Sequence, residues 1–445
     1  MAVAALWLAS CASVPQTTSP QTVLSSGSAT VPTMIADAAD IEWTIDRYVR
    51  MDRRALERSA SDGSVSAALF ATLNREGNAS ELLLEAMETA SGADGAERLL
   101  AILLDQLIAN HRWSEVIEVA ERFDPQNEAI AYARPYANWP KAGVSYGAKE
   151  FVEVPFDGLY ISAKLDGQPI KIAFDTGAPG VGVHHDFLDM LQTDRTAPQR
   201  YAYPAFDLTV ERYHALIGEL TIGDIRLTNI AATVARPPSE DELAKFEAME
   251  RNTGRHDIIM GLDALRPYFA VIEFDYNRDV VRFIRRDASP RSDANMIMGD
   301  GRKPMVRLRS QNRTSNVYVD TGSYGHLLGQ GAFETSDCLA SRVMKAPWRE
   351  IEEHRVRIAF GEQVPIEAWA QPRSLVKEDR WDITGYIGNP RSGIYKLDLE
   401  DGNFALLDYD SSGLDSLWPI ASRSEGTCQP PLPMPVEGLI IPVPK

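Results

Sequence analysis

Three cysteines in 445 residues, Cys11, Cys338 and Cys428, are too few to build a disulfide scaffold, so the fold must rest on apolar cores. No Cys-x-x-Cys, His-Glu-x-x-His, Walker loop or Gly-x-Ser-x-Gly elbow is present, which removes the common zinc, nucleotide and serine-nucleophile chemistries. Basic charge is also short: 45 Lys and Arg stand against 63 Asp and Glu, a net charge of −18. No basic patch offsets that field, so nucleic acid is excluded as a partner. No run of eighteen apolar residues occurs, so no membrane-spanning helix is expected. What is there, 44% hydrophobic and 24% charged residues, is the composition of a soluble chain with room for two or three domains.

One short phrase occurs twice. An apolar run ends in Asp175-Thr176-Gly177-Ala178, and a second ends in Asp320-Thr321-Gly322-Ser323. Two carboxylates held close cannot both ionise, so they share a proton and can activate a water between them. The flanking residues fit that task. Gly177 and Gly322 let backbone approach a carboxylate, Thr176 and Thr321 offer hydroxyls to brace the turns, and the apolar runs dry the site. The surroundings repeat as well. Asp175 is followed by Ile258-Ile259-Met260-Gly261 and Asp320 by Tyr386-Ile387-Gly388, each with a hairpin before and after, which makes Gly261 and Gly388 structural positions of an internal duplication.

This order of strand, Asp-Thr-Gly, hairpin and apolar-apolar-Gly resembles the aspartic peptidases, in the sequence style of bacterial retropepsin-like domains and the two-lobed arrangement of pepsins. The resemblance spans about 146–409. It implies catalytic roles for Asp175 and Asp320, supported by Thr176, Gly177, Ala178, Thr321, Gly322 and Ser323, with no metal and no cofactor. It also implies a peptide or protein substrate. The second lobe departs from the pattern, with Asn389-Pro390 where the first has Leu262-Asp263. The expected fold is multidomain α+β: an N-terminal α-helical, tetratricopeptide-like domain followed by a bilobal all-β aspartic-peptidase fold. The expected boundaries are a signal segment at 1–11, a flexible tether at 12–33, helices at 34–140, lobe 1 at 141–290, lobe 2 at 291–427 and a Pro-rich tail at 428–445. Because both copies lie in one chain, the site is expected to be intramolecular and the protein monomeric.

Other residues have plainer readings. Leu99, Leu100, Leu103, Leu104, Leu107 and Ile108 follow helical spacing, and four to five helices in all are expected, the last ending near Phe123 with Pro125 after it. His184-His185-Asp186 lacks evident further ligands, and Asp186 is read as a helix cap. Arg302, Lys303, Arg307, Arg309 and Arg313 read as a solvated sheet edge. Residues 237–254 read as a charged helical insertion. The Ser323 hydroxyl is expected to donate to Asp320 and make it the more acidic partner.

Leu8-Ala9-Ser10-Cys11 resembles a bacterial lipobox. With the Ser/Thr/Pro-rich stretch after it, it places the chain in the cell envelope, facing the periplasm on an outer-membrane lipid anchor. In that oxidising setting Cys338 and Cys428, the remaining thiols, are expected to pair. The competing function is a catalytically silent peptide-binding envelope lipoprotein. Mass spectrometry of protein extracted from membranes should find a diacyl or triacyl cysteine at Cys11, and a soluble protein retaining Met1 would overturn that expectation.

Overall fold

In the computed structural model, residues 38–425 are described apart from short internal stretches, the longest being 286–294, 330–337, 374–382 and 410–419. Cys11 and Cys428 fall outside the described residues, so the lipid and disulfide expectations do too.

Helices come first: α1 (Ala38–Val49), α2 (Arg53–Ser59), α3 (Val65–Leu73), α4 (Ala79–Ala90), α5 (Ala96–Ala109), α6 (Trp113–Phe123) and α7 (Glu128–Ala137). Side chains of Asp52, Ser64 and Asn127 accept amide hydrogens of the first turns of α2, α3 and α7, satisfying donors that a helix start leaves open. The periodic leucines of α5 are buried, as their spacing requires. The expected four to five helices become seven among the described residues. Prolines hid the last of them: Pro125 precedes α7 and Pro135 lies inside it, where it forfeits a backbone hydrogen bond.

The first lobe contains β1 (Gly143–Ser145), β2 (Phe151–Pro155), β3 (Tyr160–Leu165), β4 (Gln168–Phe174), β5 (Val181–His184), β6 (Gln192–Tyr203), β7 (Leu208–Ile222), β8 (Ile225–Arg236), α8 (Glu240–Thr253), β9 (Ile258–Met260), α9 (Leu262–Leu265), β10 (Phe269–Asp275) and β11 (Val280–Arg285). The second contains β12 (Met296–Met298), β13 (Pro304–Ser310), β14 (Arg313–Tyr324), β15 (His326–Gly329), β16 (Cys338–Ala346), β17 (Arg349–Phe360), β18 (Ile366–Arg373), β19 (Ile383–Asn389), β20 (Ile394–Asp398), β21 (Asn403–Leu407) and β22 (Ile420–Glu425).

The duplication is visible in the pairing. Strand β4 runs parallel to β9, and β14 parallel to β19. Strand β5 lies antiparallel to β9 and parallel to β8, as β15 does to β19 and β18. The hairpins that close the lobes join in one sheet of order β2-β11-β10-β20-β21. There β10 meets β20 through pairs such as Ile272 with Leu397 and Phe274 with Tyr395.

The helical layer is not a separate bead. Its apolar core continues into Ile297, Met305, Tyr318 and Ile383 of the second lobe. The fully buried Asn316 amide donates to the Val49 carbonyl at 3.0 Å. The Tyr136 hydroxyl of α7 donates to Ala232 O at 2.8 Å and lies 3.0 Å from His214 Nδ1. These contacts make the helical layer a cap packed on the lobes. A chain beginning at residue 141 would expose that shared apolar surface. It is expected to lose near-UV circular dichroism and a cooperative thermal transition, and a sharp calorimetric transition from it would refute the shared core.

Candidate active site

Asp175 and Asp320 stand at equivalent points, each just past an apolar strand whose alternate residues face a lobe core. Ile172 and Phe174 enter the main core in the first lobe, as do Val317 and Val319 in the second. Alternation therefore turns each aspartate to the opposite face. Asp175 N–H is tied to Met260 O at 3.1 Å. Gly261 follows Met260 because nothing larger fits: a Cβ there would lie 2.0 Å from Ala178 O. Gly388 is buried, and its carbonyl accepts the Tyr395 hydroxyl.

The two Asp-Thr-Gly turns interlock. Thr176 Oγ1 donates to Val319 O at 2.7 Å and accepts the Thr321 amide at 3.0 Å. Thr321 Oγ1 donates to Phe174 O at 3.0 Å and accepts the Thr176 amide at 3.1 Å. Each hydroxyl thus binds the carbonyl just before the opposite aspartate. The glycines cross as well. A Cβ on Gly177 would lie 2.6 Å from the carboxyl carbon of Asp320, and a Cβ on Gly322 would lie 2.6 Å from that of Asp175. Only glycine allows the aspartates this close to the opposite turn. Ala178 and Ser323, next in each turn, are also buried.

Both carboxyls are buried, Asp175 at 2% and Asp320 at 0% exposure. Burial raises both above the ordinary carboxylate range. The neighbouring Asp175 charge raises Asp320 further, to well above that range. The expected order of acidity is reversed. Asp175 Oδ1 accepts the Gly177 amide at 2.9 Å, which favours its charged form. Neither Asp320 oxygen has a hydrogen-bond partner of ordinary geometry, so the Ser323 donation is not made. The direction of these shifts leaves the proton held more tightly at Asp320 than at Asp175, and the two carboxyls titrate as one pair.

Outside the dyad, three other readings change. Arg302 and Lys303 do not line a solvated edge. Arg302 pairs with Asp263 at 2.9 Å and sits 4.9 Å from the centre of the Tyr132 ring of α7. Asp263 also accepts the Gly180 amide at 2.7 Å. One ion pair therefore joins both lobes and the helices, and through Gly180 it reaches the chain five residues after Asp175. Lys303 is buried. The helix cap is likewise displaced: His184, not Asp186, accepts the Asp186 amide and opens a 3-10 turn over His185–Met190. His184, His185 and Asp186 bring ligand atoms within 4.8 Å of one another, but Arg255 takes the Asp186 carboxylate at 2.7 Å and Glu250 lies 3.0 Å from His184 Nε2. The Glu250 contact ties His184 to α8, and the Arg255 ion pair ties Asp186 to the segment just after that helix. That helix is more than a solvated insertion: Glu242 accepts the Thr209 amide, and Phe246 and Met249 pack on Leu208 and Val210 of β7.

Sequence reasoning missed Lys303, Asp263 and the α7 tyrosines. The basic pair at 302–303 lies just before β13, the hairpin partner of the strand that carries the second aspartate, which was the one available signal.

A family model described as Aspartyl protease matches residues 161–264, the part of the first lobe from β3 to α9. No curated protein sequence matches the chain. Among solved structures, it is similar to a retropepsin-like aspartic protease from Rickettsia conorii, with a TM-score of 0.20 and 17% identity, covering 33% of this chain and 93% of that one. The family-model match supports an aspartyl-protease fold for the first lobe.

Since burial raises both carboxyls, the folded state keeps protons that the unfolded chain releases above about pH 4. Stability contributed by these groups is therefore lost as pH rises past that value. Asp320→Asn removes the larger part of this effect. At pH 7 its unfolding midpoint should exceed that of the parent by roughly 2–4 °C, with the gap closing below about pH 4. A gap that is the same at both pH values, measured by calorimetry, would refute the assignment.

Proposed function

We propose that this chain is an aspartic-type endopeptidase that hydrolyses peptide bonds by activating a water between Asp175 and Asp320. The observation that carries the reading is the reciprocal approach of each Asp-Thr-Gly glycine to the opposite carboxyl. That arrangement couples two buried acids whose proton affinities are both raised, that of Asp320 the more, which favours one proton shared between them.

In this mechanism the Asp175 carboxylate takes a proton from water as the water oxygen bonds to the peptide carbonyl carbon. Asp320 gives its proton to the carbonyl oxygen, and a tetrahedral diol forms. Collapse of the diol breaks the C–N bond. The amine leaves with a proton, one product ends in a carboxyl group, and the dyad regains its single shared proton. The interlocked threonines hold the two acids in register without entering the chemistry. The helical layer packs on Tyr318, two residues before Asp320 on the same face of β14, and so walls the second-lobe side of the site. As part of the same reading, Cys11 carries a lipid anchor that holds a monomer at the periplasmic side of the envelope, with the tether of 12–33 as spacer.

Peptide-library cleavage by the purified chain tests the activity. Asp175→Ala and Asp320→Ala should each lower the rate by about a thousandfold or more. Rate per molecule should not change with protein concentration. An Asp320→Ala protein that cuts at near the parental rate would instead require a homodimer through first lobes. A parent that binds a statine-type mimic but releases no products would be a silent binder.

A further inference from the structure

The buried cation next to the dyad has no role in the mechanism so far. Lys303 precedes β13, and its carbonyl accepts the Gly299 amide at 2.8 Å, which fixes the turn. The β13–β14 register pairs Met305 with Tyr318 and Val306 with Val317. Continued two residues, it sets Lys303 level with Asp320. The side chain does not escape to solvent: Lys303 is only 7% exposed, and its ammonium lies 5.5 Å from the centre of the Tyr318 ring. Tyr318 shares the face of β14 from which Asp320 projects. At the same offset in the first copy the sequence has Gly158, which carries no charge.

A lysine this deeply buried is costly unless a negative charge lies near. The complementary deficit stands beside it. Asp320 is fully buried, and its contacts with the Gly322 amide and the Asp175 carboxyl fall outside ordinary hydrogen-bond geometry. The field of the ammonium reaches both members of the pair and favours their charged forms. The other charged or titratable groups nearby do not supply this. Tyr318 on β14 and Tyr395 on β20 are phenols, and Tyr395 is driven further toward its neutral form by burial. Arg302, in the same turn, is committed to Asp263 and Tyr132, with Asp105 of α5 acting on it from the helical side.

We propose that Lys303 is a positioning residue of the dyad: its ammonium holds Asp175 and Asp320 as one shared-proton anion and sets the pH range over which that anion exists. The inference rests on the endopeptidase reading, with one cation serving a two-carboxyl site from the second lobe alone.

The test uses the full chain with Lys303→Met, Lys303→Gln and Lys303→Arg. Two quantities are measured: the pH dependence of kcat/KM on a cleaved peptide, and carboxyl titration by NMR in protein labelled with 13C-aspartate. The dyad signals are assigned with Asp175→Asn and Asp320→Asn. Removing the positive charge should move both limbs of the pH profile, and the dyad titration, to higher pH by about one unit or more. Arginine should keep both near the parental values. Neutral variants that lower the rate equally at every pH, with the titration unmoved, would overturn the inference and leave Lys303 a packing residue. If the parent cleaves no peptide but its dyad titration still moves in Lys303→Met, the endopeptidase reading fails and the electrostatic role stands. Should Lys303→Met not fold, Lys303→Gln against Lys303→Arg decides by the same titration.

Discussion

The structure depends on one constraint: two backbone turns from different lobes must approach closely enough for each to support the other's aspartate. Every hydrogen bond of the interlock crosses between copies, so neither turn is complete alone. Thr176 without Val319, or Thr321 without Phe174, would be a buried hydroxyl facing a carbonyl that is not there. An unmet buried polar group costs about 1–3 kcal/mol, and four such bonds are at stake. The joined sheet β2-β11-β10-β20-β21 supplies the distance control. It fixes the lobes by a backbone ladder, which is stiffer than side-chain packing alone.

Symmetry accounts for the frame, and departures from symmetry account for the chemistry. The lobes share strand order, parallel pairing and glycine crossing, yet their aspartates differ. Asp175 accepts the Gly177 amide at 2.9 Å, whereas the matching contact of Asp320 with the Gly322 amide falls outside ordinary hydrogen-bond geometry. The lobe that drifted in sequence holds the buried lysine, while Asp263 of the less drifted lobe takes Arg302 from the other. A duplicated scaffold thereby places two chemically identical side chains in different surroundings, with the proton held more firmly at Asp320.

Much of this was legible in the sequence because it depends on local spacing. The repeated Asp-Thr-Gly, its apolar lead-in and the later apolar-apolar-Gly mark out two lobes, and the hairpins at Gly223 and near Arg278 and Asn403 fall where turn residues place them. The leucine spacing of α5 was equally direct. What was not legible depends on distances of a few tenths of an ångström or on tertiary burial. Ser323 looked like a donor to Asp320, but hydrogen-bond geometry is not encoded in adjacency. Arg302 and Lys303 carry charges that ordinarily seek water, and only the packed α7 and β14 show why they do not. Helix α7 itself was obscured because proline propensity argued against a helix that tertiary contacts stabilise.

The shared apolar core also bears on how the chain is made. The helices leave the ribosome first, but their core is finished by Ile297, Met305, Tyr318 and Ile383, more than a hundred residues later. The bond from Asn316 to Val49 spans 267 residues, and β10 waits for β20 before its outer edge is covered. Closing contacts this remote in sequence is slow. Until synthesis has passed residue 398, an early helical layer and an open strand edge stand exposed together, the state in which nascent chains associate wrongly. The fold therefore ties the maturation of its active centre to completion of translation: a chain stopped before β20 has both Asp-Thr-Gly turns but lacks the sheet that brings the lobes into register.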